Sequence, residues 1–136
     1  MSAMIALVRG EIASIGLDHA VVLASGLGMK VLATPATLAA LRVGSQAQLF
    51  TSFVVREDSM TIFGFGDADE RDVFEVLMSV SGVGPKLALA ALAVHTPDGL
   101  RRAVASEDLA ALCRVPGVGR KGAQRIDAAA DMLSPK

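Results

Sequence analysis

The chain of 136 residues has few aromatic, sulfur and imidazole side chains: five Phe, neither Trp nor Tyr, one Cys and two His. A single cysteine, Cys113, cannot form a disulfide within the chain and excludes the cysteine-rich zinc modules. His19 and His95 are far apart in sequence, so we expect no metal and no cofactor. We expect these two histidines in a turn and at a helix end, and Cys113 in the core on an apolar helix face.

The chain also lacks long apolar runs. None approaches 18 residues, and no basic-then-apolar leader opens the sequence. We therefore expect a soluble, cytoplasmic protein with no membrane partner. Hydrophobic residues make up 52% of the chain and charged residues 20%, which excludes intrinsic disorder and indicates a well-filled fold.

The pattern of apolar residues changes near residue 66. Before it, five short runs typical of strands alternate with turns, and their spacing predicts a small antiparallel barrel over residues 1–66. A single helical turn is expected near Pro35. The predicted strands cover residues 5–15, 20–24, 29–34, 47–55 and 60–65.

After Gly66 the periodicity is helical, which predicts an all-α domain over residues 67–136. Asp67 can cap a helix ending near residue 79, Pro85 can open the next, and Thr96 can open a third. A short helix should follow residues 107–108. The last helix should carry an apolar stripe formed by Ala123, Ile126, Ala130 and Leu133.

Two stretches, residues 80–86 and 115–121, read almost alike. Each places a Gly-apolar-Gly turn between two helical segments, the helix-hairpin-helix arrangement, which aims bare backbone N–H groups at a phosphate. Although the formal net charge is −1, the bases cluster at these turns, so we expect one basic face. The expected phosphate-binding residues are Gly82, Val83, Gly84, Lys86, Gly117, Val118, Gly119, Arg120, Lys121 and Arg125.

Each turn could instead be only a tight helix corner, but two copies with bases at equivalent offsets favour phosphate binding. Residues 117–122 also match the G-x-G-x-x-G dinucleotide fingerprint. That fingerprint needs a preceding strand and an acid about 20 residues later. A helical segment, and not a strand, precedes residues 117–122. An acid about 20 residues after them would fall beyond position 136, so we reject nucleotide binding.

Glu57 and Asp58 stand between two predicted strands. They form either an ordinary polar hairpin turn or a rigid acidic turn that repels phosphates passing nearby. We find no Ser-His-Asp set and no carboxylate pair with catalytic spacing, so we expect no catalytic residues and no enzymatic activity.

With both hairpins and the acidic turn, the chain resembles the RuvA family of bacterial Holliday-junction-binding proteins. The resemblance covers nearly the whole chain, including residues 4–10, 53–58, 63–65, 81–88 and 115–119. It implies a mixed α+β fold: an N-terminal OB-like five-stranded β-barrel followed by an all-α domain with two helix-hairpin-helix motifs.

The resemblance further implies a homotetramer, or an octamer, that holds a four-way DNA junction open, with Glu57 and Asp58 of four barrels meeting as a central acidic pin. A RuvB-type hexameric ATPase and a RuvC-type resolvase are the implied partners in branch migration and DNA repair. Family members continue into a third domain that contacts the ATPase, and we expect that domain to be missing from this sequence.

Two other functions stay open at this point. Helix-hairpin-helix repeats also occur in DNA repair enzymes, which need a catalytic lysine, an acidic set or a metal cluster. The chain could also be a non-specific duplex or single-strand DNA-binding module, although barrels used in that way commonly offer stacking aromatics.

Overall fold

The computed structural model describes residues 4–129 and residue 133. The chain forms two compact units that meet between Arg71 and Asp72. The boundary that we predict between residues 66 and 67, where strands give way to helices, stays a prediction.

The first unit is a closed barrel of five strands: β1 (Leu7–Ile15), β2 (His19–Ala24), β3 (Leu27–Leu32), β4 (Gln46–Arg56) and β5 (Ser59–Phe65). The strands are joined in the order β1-β2-β3-β5-β4. The OB-like five-stranded barrel is thereby confirmed. A short helix, α1 (Pro35–Ala39), lies between the third and fourth strands in sequence.

The prediction of a wholly antiparallel barrel is wrong at one pairing. β3 and β5 run parallel, with Val31 opposite Ile62, whereas the other four pairings are antiparallel. The reason is parity: five strands in a closed ring cannot all alternate in direction. Because β4 pairs antiparallel with β1, β5 points the same way as β3.

The barrel core follows the two-residue period of its strands. In β1, Val8, Gly10 and Ile12 are buried while their neighbours are exposed. Val22, Val31 and Leu49 from three other strands complete a buried apolar cluster with Val8 and Ile12.

The second unit is helical, as predicted, and the division between the units falls within the first of the helices α2 (Ala68–Met78), α3 (Pro85–Val94), α4 (Pro97–Ala105), α5 (Leu109–Leu112) and α6 (Arg120–Ala128). The helices α2 and α3 begin where Asp67 and Pro85 indicated, and the residue before Pro97 caps α4. The last helix begins three residues earlier than its predicted stripe; Ala123, Ile126 and Leu133 are buried, and Ala130 lies outside the described residues.

Cys113 is exposed, so its predicted place in the core is wrong. It follows the last residue of the four-residue α5, where Leu112 takes the core position and the chain turns away. His95 does end a helix, as expected, and its Nε2 lies 2.9 Å from the Ala111 carbonyl oxygen. The expected turn position of His19 is wrong: it is the first residue of β2, and its hydrogen bond to Asp18 lowers the pKa of that carboxyl.

Candidate nucleic-acid interface

The two glycine turns join consecutive helices in the same way. The first hairpin consists of α2, residues 79–84 and α3, and the second consists of α5, residues 113–119 and α6. In both, a glycine N-cap carbonyl accepts a bond from the fourth residue of the following helix: Ala88 N to Gly84 O, 3.0 Å, and Ala123 N to Gly119 O, 2.9 Å. The sequence repeat is therefore a repeat of structure.

Four buried valines shape the turns. The N–H of Val83 donates to the carbonyl of Val80, and the N–H of Val118 donates to that of Val115, both at 3.0 Å. All four side chains are buried in the apolar interior. Because the N–H groups of Val83 and Val118 are engaged inside the chain, a phosphate contact by either residue stays a prediction.

The first glycine of each turn is required by the backbone. Gly82 has φ of 85° and Gly117 has φ of 93°, in the left-handed region that side chains other than glycine rarely adopt. These two residues reverse the chain so that the following helix can start.

The second glycine of each turn is not required by anything in the described chain. Gly84 has φ of −89° and Gly119 has φ of −90°, values that any residue adopts, and a Cβ added at either would meet no atom within 4 Å. The space in front of these two residues is open. Glycine at these positions suits the close approach of an external group to the backbone.

The helices differ in how their N-termini are satisfied. The side chains of Thr34, Thr96 and Asp108 accept bonds from the first turns of α1, α4 and α5, and Asp67 accepts the Glu70 N–H of α2 at 2.8 Å. By contrast, α3 and α6 have no side-chain cap. The first N–H groups of a helix have no partner inside it, so among the described helices only the second helix of each hairpin offers its N-terminal donors to a ligand.

Basic side chains stand beside these open donors. Lys86 is the second residue of α3, and Arg120 and Lys121 are the first two of α6; all three are exposed. Neither helix has an acidic residue in its first turn. The positive end of the helix dipole and the nearby cations therefore act together on an anion.

Arg125 is located differently from the other predicted basic residues. It lies in the last turn of α6, and its Nη1 is 3.4 Å from the carbonyl oxygen of Ser81 in the first hairpin. Sequence position alone associates this residue with the second hairpin, because the contact joins residues 44 apart in the chain.

The acidic turn, Glu57 and Asp58, is the two-residue connection between β4 and β5. The last paired residues before it are Arg56 and Ser59. Both acidic residues are exposed, and within residues 4–129 and 133 neither carboxylate has an ion-pair partner. The hairpin thus presents two exposed carboxylates side by side.

In the described part of the chain, no three His, Cys, Asp or Glu side chains are grouped so that they could hold a metal ion. No helix there has the length and apolar character needed to cross a membrane. What the hairpins offer a ligand is backbone N–H donors and basic side chains.

Comparison with known protein families gives two matches that follow one another along the chain. A family described as "RuvA N terminal domain" matches residues 4–64, and one described as "SAM-like Helix-hairpin-helix tandem" matches residues 74–131. The first match covers the barrel up to the penultimate residue of β5 and includes the acidic turn, and the second covers both glycine turns.

Curated relatives give the same result. The protein described as "Holliday junction branch migration complex subunit RuvA" from Beutenbergia cavernae is 74% identical over 123 residues, which are 90% of this chain and 62% of the relative. The proteins of the same description from Thermobifida fusca and Mycolicibacterium smegmatis are 63% and 60% identical over 123 residues, again 90% of this chain, and 61% and 63% of those relatives. The chain spans about three fifths of the length of these relatives.

Proposed function

We propose that this chain, which is similar to RuvA subunits over 90% of its length, binds four-way junction DNA as a non-catalytic subunit of a branch-migration complex. The observation that supports this most directly is the pair of uncapped helix N-termini, each preceded by a glycine with open space before it. Two such sites on one helical unit suit a ligand with regularly spaced phosphates, which is nucleic acid.

The binding is directed at the sugar–phosphate backbone. Backbone N–H groups and the cations Lys86, Arg120 and Lys121 can hold phosphates, and contacts of this kind carry no base-sequence information. Discrimination must then come from the shape of the DNA. Several copies of the chain, each holding two phosphates, would turn weak single contacts into tight binding of a branched ligand.

The acidic turn supplies the repulsive part of the proposal. We propose that four chains surround the junction with Glu57 and Asp58 of each near its centre. Carboxylates there would keep the crossing strands apart and would oppose a continuous duplex lying over the same place. The remaining partners in this proposal are a RuvB-type hexameric ATPase and a RuvC-type resolvase, which act on the held junction.

The direct test compares the affinity of the chain for a four-way junction with its affinity for linear duplex of the same length, over a series of salt concentrations. We expect junction to bind on the order of tenfold tighter or more, and binding to weaken steeply as salt rises. Equal affinity for the two DNAs would refute junction recognition. Strand cleavage on incubation with Mg²⁺ would refute the non-catalytic role.

A further inference from the structure

Arg125 lies in the last turn of its own helix, far from the N-terminus of that helix. It follows Gly119 by six positions, which is about 9 Å along an α-helix. Lys121, in contrast, lies within the first turn, beside the open N–H groups. A phosphate held by the second hairpin would therefore be served by Arg120 and Lys121.

The guanidinium of Arg125 lies instead at the corner of the first hairpin. Its Nη1 is 3.4 Å from the Ser81 carbonyl oxygen, and a Cβ added at Gly82 would lie 2.7 Å from the same nitrogen. Gly82 is the residue whose left-handed conformation forms the corner. Arg125 thus covers the turn that aims the N-terminus of α3.

The contact has a counterpart at the other corner. A Cβ added at Gly117 would lie 3.0 Å from the Cδ1 of Leu87, which belongs to α3. Each of the two glycines Gly82 and Gly117 is therefore covered by a side chain from the second helix of the other hairpin. The two phosphate sites are connected through these contacts, an apolar one at Gly117 and a charged one at Gly82.

The charged contact also makes the number of cations at the two phosphate sites more nearly equal. Where the second hairpin has Arg120 and Lys121, the first has Pro85 and Lys86, and so has one cation fewer. A guanidinium has five N–H donors, of which one reaches Ser81. In the part of the chain that the structure describes, no carboxylate lies within ion-pair distance of Arg125, so its charge remains available.

We infer that Arg125 acts at the first hairpin: it holds the corner at Ser81 and Gly82 and adds its charge to the phosphate bound at α3. This inference rests on the proposed function, because it assumes that both hairpins hold phosphates. It places a residue of α6 in the site of α3, and it makes Arg125 a positioning residue for that site as well as a source of charge.

A double-mutant cycle on junction binding tests the assignment. The variants are Arg125→Gln, Lys86→Gln, Lys121→Gln and the two double variants that contain Arg125→Gln. Arg102→Gln is the matched control, since it removes the same charge from α4, which belongs to neither hairpin. Thermal unfolding of every variant shows whether it is folded.

We expect Arg125→Gln to weaken junction binding about tenfold and Arg102→Gln to change it by less than about twofold. In the double variant Arg125→Gln with Lys86→Gln, the loss of junction affinity should be smaller than the product of the two single losses, because the two residues share a phosphate. Combined with Lys121→Gln, the losses should multiply to within about twofold. The slope of log affinity against log salt should become shallower in Arg125→Gln, and Arg125→Lys should restore the slope.

Three results would overturn the assignment while leaving junction recognition intact: coupling of Arg125 to Lys121, independence from both lysines, or a salt slope unchanged by Arg125→Gln. The last result would indicate a purely structural role. If the unaltered chain does not prefer junction over duplex, the proposed function fails, and the assignment fails with it.

Discussion

At the scale of single residues, the four glycines of the two turns serve two different purposes. Gly82 and Gly117 have positive φ angles and contact side chains of the opposite hairpin, so the fold itself requires them. Gly84 and Gly119 have ordinary angles and empty space in front of them. Folding and binding can therefore be separated by substitution.

Gly84→Ser with Gly119→Ser should give a protein that is at least as stable but binds junction poorly. Serine can cap α3 and α6, and it restricts the unfolded chain more than glycine does, which together would stabilise the fold by about 0.5–1 kcal/mol per site. The same side chain would occupy the place of the phosphate and its bonds. Thermal unfolding and junction affinity, measured on the same samples, check both effects.

The matched control is Gly82→Ala or Gly117→Ala. Each places a Cβ in a left-handed conformation, and we expect a loss of about 1–2 kcal/mol of stability. If the serine variants bind junction as well as the unaltered chain, the N-termini of α3 and α6 are not phosphate sites.

Glu70 gives a pH-dependent prediction for the first unit. Burial, followed by the charges of Asp67 and Asp69, raises its pKa above the ordinary value of 4.5, against a backbone hydrogen bond at Gly66. Folding thus disfavours the ionised form. Its contribution to stability is fully present below about pH 4.5 and is lost as the pH rises through the raised pKa.

Glu70→Gln should therefore raise the melting temperature at pH 7 and leave it nearly unchanged at pH 4, as followed by circular dichroism. Glu11→Gln, an exposed carboxylate of β1, is the control. A Glu70→Gln protein that melts lower than the unaltered chain at pH 7 would contradict this reading of the site.

At the scale of elements, the acidic turn is a structural feature separate from the two helix hairpins. Replacing Glu57 with Gln and Asp58 with Asn keeps the two-residue connection between β4 and β5 and removes both charges. We expect affinity for linear duplex to rise a few-fold, because the repulsion of passing phosphates is lost, so that the preference for junction falls. Titration of both DNAs by fluorescence anisotropy measures the change.

Glu11→Gln again serves as the control, since it removes a carboxylate from the barrel outside the turn. If it raises duplex affinity as much per charge as the double variant does, only the net charge matters, and a specific place for the turn near the DNA is excluded.

The elements themselves were largely predictable from sequence. The five predicted strands differ from the observed ones by at most two residues at either end. Asp67, Thr96 and Asp108 cap helices as their residue types indicate. These features depend on residues that are close together in the sequence, so they can be predicted from it. The exposure of Cys113 was missed because α5 has only four residues, too few for periodicity to define a face.

The candidate site was predictable only in part, since its arrangement depends on contacts distant in sequence. The repeated glycines and bases are visible in the sequence. Other features of the site depend on how the helices pack. Arg125 reaches Ser81, Leu87 covers Gly117, and the N–H groups of two valines are already engaged. The repeat predicts two equivalent sites, whereas tertiary packing connects them.

At the scale of the whole molecule, the number of chains on one junction sets the salt dependence. Two phosphates per chain give eight in a tetramer, for which the slope of log affinity against log salt would be about −7. One chain alone would give about −2. Affinity measured over a range of salt, with the mass of the complex determined by sedimentation, distinguishes these cases.

A slope near −2 together with one 14.0-kDa chain per junction would contradict assembly of four copies. The comparison needs no variant, because the copy number appears in the slope and in the mass independently.

The parity of the barrel also has a consequence for synthesis. β1 and β3 reach their second partners, β4 and β5, only across long stretches of chain, with Leu7 opposite Phe50 and Leu32 opposite Phe63. On the ribosome, β1 cannot gain its second partner before residue 56 has been added, nor β3 before residue 65, so a sheet that forms during synthesis has unpaired edges until then. During that interval the nascent sheet is open to pairing with the strand edge of a neighbouring polypeptide.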